Sequence, residues 1–264
     1  PGVLVLTSAP EASHGGAWGF ARVVRLEHPA LRTQSAELLC GPGSITALSM
    51  LAPAAEQEAA WRGGARAVAR LRACTTSAFK ASGLARGLYS ITDGLGGLGL
   101  RATALLVEGG ASRVLLASRS GRVARDGQGL EAQLQALCSV CIVVACDSAD
   151  ALDATVFFSS TLHSGVLHAA GVLRDKMLRS TAARDSNTVF APKALAASLL
   201  QQALSPRPLE ALGLFSSIAS TFGNVGQASY AAANAYLDAL AWSRRSRGSL
   251  VSSLQIPAVS AAGL

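Results

Sequence analysis

From Gly87 onward, short apolar runs alternate with longer stretches whose apolar residues recur at helical spacing. The runs 88–92, 114–118, 142–146, 166–169, 212–217 and 250–256 read as strands. The stretches 97–108, 130–137, 187–203 and 227–244 read as helices. Repeating strand–helix units imply an α/β fold, a Rossmann-like doubly wound parallel sheet with helices on both faces. Right-handed crossovers carry the carboxyl ends of all the strands, and with them a ligand site, to one edge.

Residues 1–86 keep a similar but poorer rhythm, with strands at 3–7 and 36–39 and helices at 18–26 and 56–70. This half has no glycine fingerprint and no nucleophile–base pair. It reads as part of a second, degenerate Rossmann-like structural subdomain without a cofactor, ahead of a cofactor-binding unit over 87–264. The chain opens inside a strand-like run without an initiator Met and stops just after another. It therefore reads as a piece of a longer polypeptide, C-terminally truncated.

Composition narrows the function. Half of the 264 residues are hydrophobic and only 15% are charged, so a sizeable core can be buried. The net charge of +7 comes almost wholly from arginine. The arginines are dispersed and aromatics are only 5%, so no nucleic-acid platform is expected. A phosphorylated cofactor and an acidic carrier partner are better uses for the charge. No 18-residue apolar run is present, and no membrane span is expected. Cys138-Ser139-Val140-Cys141 forms a CxxC, yet no second CxxC occurs and His163 and His168 complete no zinc spacing. Cys40, Cys74, Cys138, Cys141 and Cys146 read as small buried residues in a reducing interior, with no metal site. A cytoplasmic location is expected, or an organelle such as a plastid.

Gly94-Leu95-Gly96-Gly97-Leu98-Gly99 fits G-x-G-x-x-G with one extra glycine. It follows a strand, opens a helix, and precedes a second strand at βαβ distance, the context of a dinucleotide site. The glycines give a tight turn and let backbone approach a pyrophosphate at the helix N-terminus. A merely structural glycine turn is the alternative. After the second strand come Ser118-Arg119, where an NAD enzyme usually has an acid. A hydroxyl and a guanidinium suit a 2′-phosphate, which favours NADPH, unless Arg119 is a solvated loop residue. Asp147 follows the third strand, placed equally well for the adenine region or for a helix N-cap.

Tyr230 and Asn234 are i and i+4 and share a helix face, and Ser217 ends the fifth strand at the ligand edge. A phenol, a hydroxyl and an amide thus gather where they could surround one carbonyl. A tyrosine with a pKa of about 10 is a poor acid at neutrality, and a nearby ammonium would stabilise its phenolate. Lys193, one of only three lysines, lies in the helix before that strand. Taken alone, it reads as a surface lysine.

Together these segments resemble the ketoreductase domain of polyketide synthases and the related fatty acid synthase domain, within the short-chain dehydrogenase/reductases. The matching pieces are 91–99, 117–121, 166–173, 191–193, 214–217 and 226–238, with Trp18–Arg22 and Glu27-His28-Pro29 in the first half. The resemblance implies Tyr230 as proton donor, Ser217 orienting the carbonyl, Lys193 lowering the tyrosine pKa, and Asn234 holding the lysine or a relay water. Ordinary short-chain reductases carry a lysine at the place of Asn234; its transfer to the earlier helix marks the synthase branch. The resemblance also implies cofactor contacts from Thr92, Gly94, Gly96, Gly97, Leu98, Gly99, Ser118, Arg119, Asp147, Ala169, Ala170 and Gly171. It implies NADPH as cofactor, an acyl carrier domain with a phosphopantetheine-bound β-ketoacyl chain as partner, and further domains of one megasynthase. Leu173-Arg174-Asp175 keeps one acid of the family segment linked to the D-hydroxyl product. Phe222 stands where the opposite group has tryptophan.

Asp93 departs from the pattern, occupying the place of the first family glycine. At ~5 Å and an effective dielectric of ~20, each like-charge pair with a phosphate costs about 3 kcal/mol. That is about a hundredfold in affinity unless the carboxylate turns away. Asp93 therefore supports the competing expectation, a catalytically impaired reductase-like scaffold. Gln255-Ile256-Pro257 also departs, lacking the tryptophan that follows the polar residue in many relatives.

Overall fold

The computed structural model describes residues 2–8, 12–38, 56–62, 65–73, 86–123, 129–205 and 209–259. Cys40 and Cys74 lie outside them. The described residues form two sheets. The larger has six strands: β5 (Leu88–Thr92), β6 (Arg113–Ser118), β7 (Cys141–Ala145), β8 (Gly165–His168), β9 (Ala211–Ser217) and β10 (Val251–Ile256). All pair in parallel, in the order β10-β9-β8-β5-β6-β7. The order reverses between β5 and β8, the switch point at which open α/β sheets bind ligands.

Alternation along the strands feeds two cores. In β6, Leu115 and Ala117 face a cluster with Phe158, Leu200, Leu214 and Leu237, while Val114 and Leu116 face Ile91, Leu100 and Leu130. One face carries α2 (Gly97–Glu108) and α3 (Leu130–Ala136). The other carries α4 (Ala151–Ser159), α6 (Ala196–Leu204) and α8 (Ala228–Arg245). Sequence reading misses α4. Its N-cap is Asp150, whose Oδ1 accepts from the backbone N–H of Leu152 at 2.9 Å and Asp153 at 3.0 Å. Asp147 is not that cap, and its Oδ1 accepts from Ala149 N instead.

The helix expected over 187–203 is divided. α5 (Ala183–Phe190) passes through a single π turn, Ala191–Leu195, into α6. Pro192 sits in that turn and has no N–H to give the preceding carbonyls. A π turn at such a place re-aims one side chain, and here Lys193 is turned inward to 4% exposure.

The smaller sheet holds β1 (Leu4–Thr7), β2 (Gln34–Leu38), β3 (Glu58–Arg62) and β4 (Ala65–Ala67), in that order. The helix expected over 56–70 is wrong. β3 pairs in parallel with β2, and β4 turns back antiparallel with Arg62 opposite Ala65. Strand pairing overrides the helix preference of the Ala, Glu and Arg residues there. Gly63-Gly64 between the two strands is a two-residue hairpin signal.

α1 (Ala12–Glu27) begins earlier than the expected 18–26 and packs along α8, joining the two sheets. A Cβ on Gly19 would fall 2.5 Å from the Ala231 carbonyl oxygen, and one on Gly15 2.5 Å from that of Ala235. These glycines let the helix backbones approach as closely as they do.

Candidate active site

A cleft of about 740 Å³ opens at the carboxyl ends of β8, β9 and β10. Ala169, Lys193, Ser217, Phe222, Tyr230 and Ile256 are among the residues lining it. Three elements therefore deliver the expected site residues to one space: the π turn brings Lys193, the end of β9 brings Ser217, and the first turn of α8 brings Tyr230. Ser217 Oγ also accepts from Ala219 N at 3.2 Å, which holds the strand-to-helix turn. The Lys193 ammonium lies 5.6 Å from the centroid of the Tyr230 ring and donates to the Phe215 carbonyl at 2.8 Å. Gly171 leaves room for the lysine, since a Cβ there would stand 3.0 Å from Lys193 Cε.

Burial dominates the proton chemistry. It pushes the Tyr230 phenol above its usual value; hydrogen bonds with Ser217 and Asn234 pull the other way, and the charge of Asp175 adds to the rise. Burial also pushes Lys193 down to about 8, opposed by the charges of Asp238 and Asp93. The net shift of Tyr230 is therefore upward, the reverse of the lowering expected, with burial as its largest cause. Asn234 is fully buried, and its Nδ2 donates to the Tyr230 carbonyl at 2.8 Å. Its Oδ1 is buried with no partner, so the structure does not join Asn234 to Lys193.

Sequence reading gives His168 no role, yet its ring holds the lysine turn. Nδ1 pairs with Thr92 Oγ1 at 2.7 Å and Nε2 with the Lys193 carbonyl at 2.9 Å. Complete burial pushes its pKa down to about 4, helped by the Lys193 charge against the bond to the Lys193 carbonyl, so the ring is neutral. Neutral imidazole donates one N–H and accepts on the other nitrogen, which matches a carbonyl on one side and a hydroxyl on the other. Thr92, expected to touch a cofactor, is 1% exposed and its hydroxyl is taken up by this bond.

Beside the main cleft, a small cavity at the ends of β5, β6 and β7 is lined by residues including Asp93, Ser118, Arg119, Asp147, Ala170 and Gly171. Gly94 and Gly99 are required by packing: a Cβ would meet the Ile91 carbonyl oxygen at 2.9 Å and the Asp93 carbonyl oxygen at 2.7 Å, respectively. Gly96 differs, for the nearest atom to its Cβ would be 3.4 Å away. The Asp93 carboxylate lies over the same spot, its Oδ2 3.6 Å from that Cβ, so it shares the backbone surface that a phosphate would approach at the N-terminus of α2. Gly97 is the first residue of α2, and Leu98 lines the main cleft, as does Ala169. Ser118 Oγ accepts from Gly121 N at 3.1 Å and keeps its proton to donate, while the Arg119 side chain is exposed. These groups fit a phosphorylated dinucleotide. Asp93 takes a left-handed backbone with φ 54°, and its exposed carboxylate lines the small cavity beside Gly96.

Among the described residues, no helix is long and apolar enough to cross a membrane, and no group of His, Cys, Asp and Glu is placed to hold a metal ion. Cys138 is exposed, Cys141 half-buried and Cys146 buried, so the expectation of buried cysteines fails at Cys138.

A model of the KR domain family matches residues 87–261. The chain is 37% identical over 242 residues to a phenolphthiocerol/phthiocerol polyketide synthase protein of Mycobacterium tuberculosis, covering 87% of the chain and 13% of that protein. It is 44% identical over 170 residues to the pikromycin polyketide synthase component PikAII of Streptomyces venezuelae, covering 61% of the chain and 4% of that protein. Among solved structures, an A1-type ketoreductase superposes with a TM-score of 0.86 at 30% identity, covering 100% of the chain and 59% of its own. The PlmKR1 ketoreductase from phoslactomycin biosynthesis in Streptomyces sp. HK803 follows at 0.84 and 31%, covering 99% and 65%. The chain thus spans about an eighth or less of these two synthase proteins. With the six-stranded order, the cleft and these likenesses in agreement, the chain belongs to the KR domain family, the ketoreductases of polyketide synthases.

Proposed function

We propose that this chain reduces the β-keto group of an acyl thioester, carried on the phosphopantetheine arm of an acyl carrier domain, to a β-hydroxyacyl thioester with NADPH. The observation that carries the reading is the convergence of Ser217, Tyr230 and Lys193 on one cleft beside the glycine turn. Bound NADPH supplies the hydride. Ser217 donates to the carbonyl oxygen and holds it against the phenol. Tyr230 gives its proton to that oxygen, so hydride and proton together make the alcohol. Burial keeps Tyr230 protonated until that moment. The Lys193 ammonium, 5.6 Å from the ring, stabilises the phenolate left behind.

Ser118 and Arg119 support NADPH over NADH, because a hydroxyl and a guanidinium at the end of β6 suit a 2′-phosphate. The net charge of +7 suits an acidic carrier domain, and further domains of the same megasynthase are the natural setting. The parent synthase works in the cytoplasm or an organelle such as a plastid. Asp175 and the absence of tryptophan at Phe222 support the D-configured alcohol as the product of this reading. Asp175 Oδ2 accepts from Nε2 of Gln227, a cleft-lining residue, at 3.0 Å. The division into a structural subdomain over 1–86 and a reductase subdomain over 87–264 belongs to the same proposal.

One observation favours a second reading, an impaired scaffold: Asp93 adds a carboxylate to the small cavity. NADPH binding separates the two. Thermal-shift titration should show saturable stabilisation by NADPH, larger than by NADH. A folded chain that gains nothing from millimolar NADPH would establish the scaffold reading in its place.

A further inference from the structure

Asp238 lies on α8 two turns beyond Tyr230 and one turn beyond Asn234, on the face they share. Its carboxylate accepts from three side chains: Ser220 Oγ at 2.6 Å, Gln255 Nε2 at 2.8 Å, and Ser253 Oγ. Ser220 belongs to α7 (Ala219–Phe222), the short helix that follows Ser217, and its hydroxyl is shared with the Ser217 carbonyl at 2.7 Å. Ser253 and Gln255 belong to β10, whose last residue, Ile256, lines the cleft. Gln255 Oε1 accepts in turn from Thr221 Oγ1 at 2.8 Å, which closes a ring between α7 and β10. Gln255 is the polar residue ahead of Ile256, where many relatives have tryptophan, and the ring shows what it does in this chain.

We propose that Asp238 is a positioning residue of the reductase cleft: it locks the Ser217 turn and the end of β10 onto the helix that carries Tyr230 and Asn234. The effect on reduction rests on the proposed function; a separate effect of the Asp238 charge on Lys193 does not. Lys193 is faced by Asp238 and the Tyr230 ring from α8, by Asp93 from the turn after β5, and by neutral His168 from β8. Of these, Asp238 and Asp93 oppose the loss of its charge. Without the Asp238 charge, the ammonium is less favoured and must titrate at lower pH.

The chain has three lysines, Lys80, Lys176 and Lys193, so a carbon-13 label at lysine Cε gives a spectrum simple enough to titrate residue by residue. In the wild type, Lys193 should titrate near 8. In Asp238→Asn it should titrate lower by about half a pH unit or more. An unchanged midpoint in a folded Asp238→Asn protein overturns the charge role. Steady-state rates on a β-ketoacyl-pantetheine thioester then test the clamp. Asp238→Glu keeps the charge but misplaces the carboxylate, and should keep the Lys193 midpoint while kcat falls about tenfold with thioester KM little changed. Wild-type kcat in Asp238→Glu overturns the positioning role, as does a loss confined to KM. Should Asp238→Asn fail to fold, Asp238→Glu alone decides the positioning role through kcat. A wild type that consumes no NADPH would refute the proposed function while leaving the lysine titration to be read on its own.

Discussion

Lys193 is buried and Tyr230 half-buried, and burial favours the uncharged form of each. For Tyr230 this is useful, because a phenol pushed above its usual range is still protonated when substrate arrives. For Lys193 it sets a limit, since the ammonium is lost as pH rises through about 8. A reduction that leans on this ammonium should show kcat falling on the alkaline side around that value. In Lys193→Met the residual rate should be lower by about 10²-fold and should not fall further there. A wild-type profile flat to about pH 9.5 would remove Lys193 from the chemistry. Ser217 should matter by a similar route: Ser217→Ala is expected to lower kcat about 10²–10³-fold with NADPH binding retained, as for the loss of one oxyanion donor. That Ser217, Tyr230 and Lys193 could meet at one cleft was legible because each stands in a quotable segment. Their energetics were not, because the rise in the tyrosine pKa comes from atoms packed around it, which no spacing reveals.

At the scale of elements, the strand–helix rhythm after Gly87 was readable since each unit buries its own apolar stripe. The segment 56–70 was not, because β3 exists only through pairing with β2, some twenty residues earlier. The π turn at Lys193 was equally hidden; Pro192 hints at it, but the inward aim of the lysine depends on His168 gripping its carbonyl. The contact between α1 and α8 makes the most direct prediction. Gly19→Leu would drive a side chain into the Ala231 carbonyl and should destabilise the chain by about 1–3 kcal/mol or more. Differential scanning calorimetry should show a melting temperature lowered by several degrees, and an unaltered one would mean that the two helices do not pack this closely.

Across the whole molecule, the smaller sheet is tied to the reductase cleft by a few long-range polar links. Arg22 is gripped by Glu58 through Nε at 2.8 Å and Nη2 at 2.6 Å, and its Nη1 donates to the Ser220 carbonyl, beside the Ser217 turn. Arg25 adds a further bond to Glu58 at 2.6 Å. Glu27 accepts from Gly226 N at 2.9 Å and Leu178 N at 2.7 Å, fixing two loops near the cleft mouth. Partners 150 to 200 residues apart leave no trace in local pattern, so this coupling could not be read from the sequence. Although Glu58 is largely buried, which by itself raises its pKa, the two guanidiniums hold it below the usual value. A carboxylate depressed in the folded state stabilises it above the unfolded pKa, near 4.5, and loses that contribution as pH falls through the folded value. Thermal unfolding of wild type and Glu58→Gln should therefore differ at about pH 7, and the gap should narrow as pH falls below about 4.5. A gap that persists unchanged at about pH 3 would assign the effect to something other than the ion pairs.

All of these effects serve one claim: that Tyr230 delivers a proton to the same carbonyl that receives a hydride in the cleft beside the glycine turn. Following the hydride tests it most directly. The chain is incubated with NADPH deuterated at nicotinamide C4 and a β-ketoacyl-pantetheine thioester, and the product is examined by mass spectrometry. The expected product is a β-hydroxyacyl thioester with one deuterium on the β-carbon, formed about 10³-fold more slowly by Tyr230→Phe. A folded, NADPH-binding wild type that forms no deuterated alcohol, or a Tyr230→Phe protein that forms it equally fast, would contradict the claim.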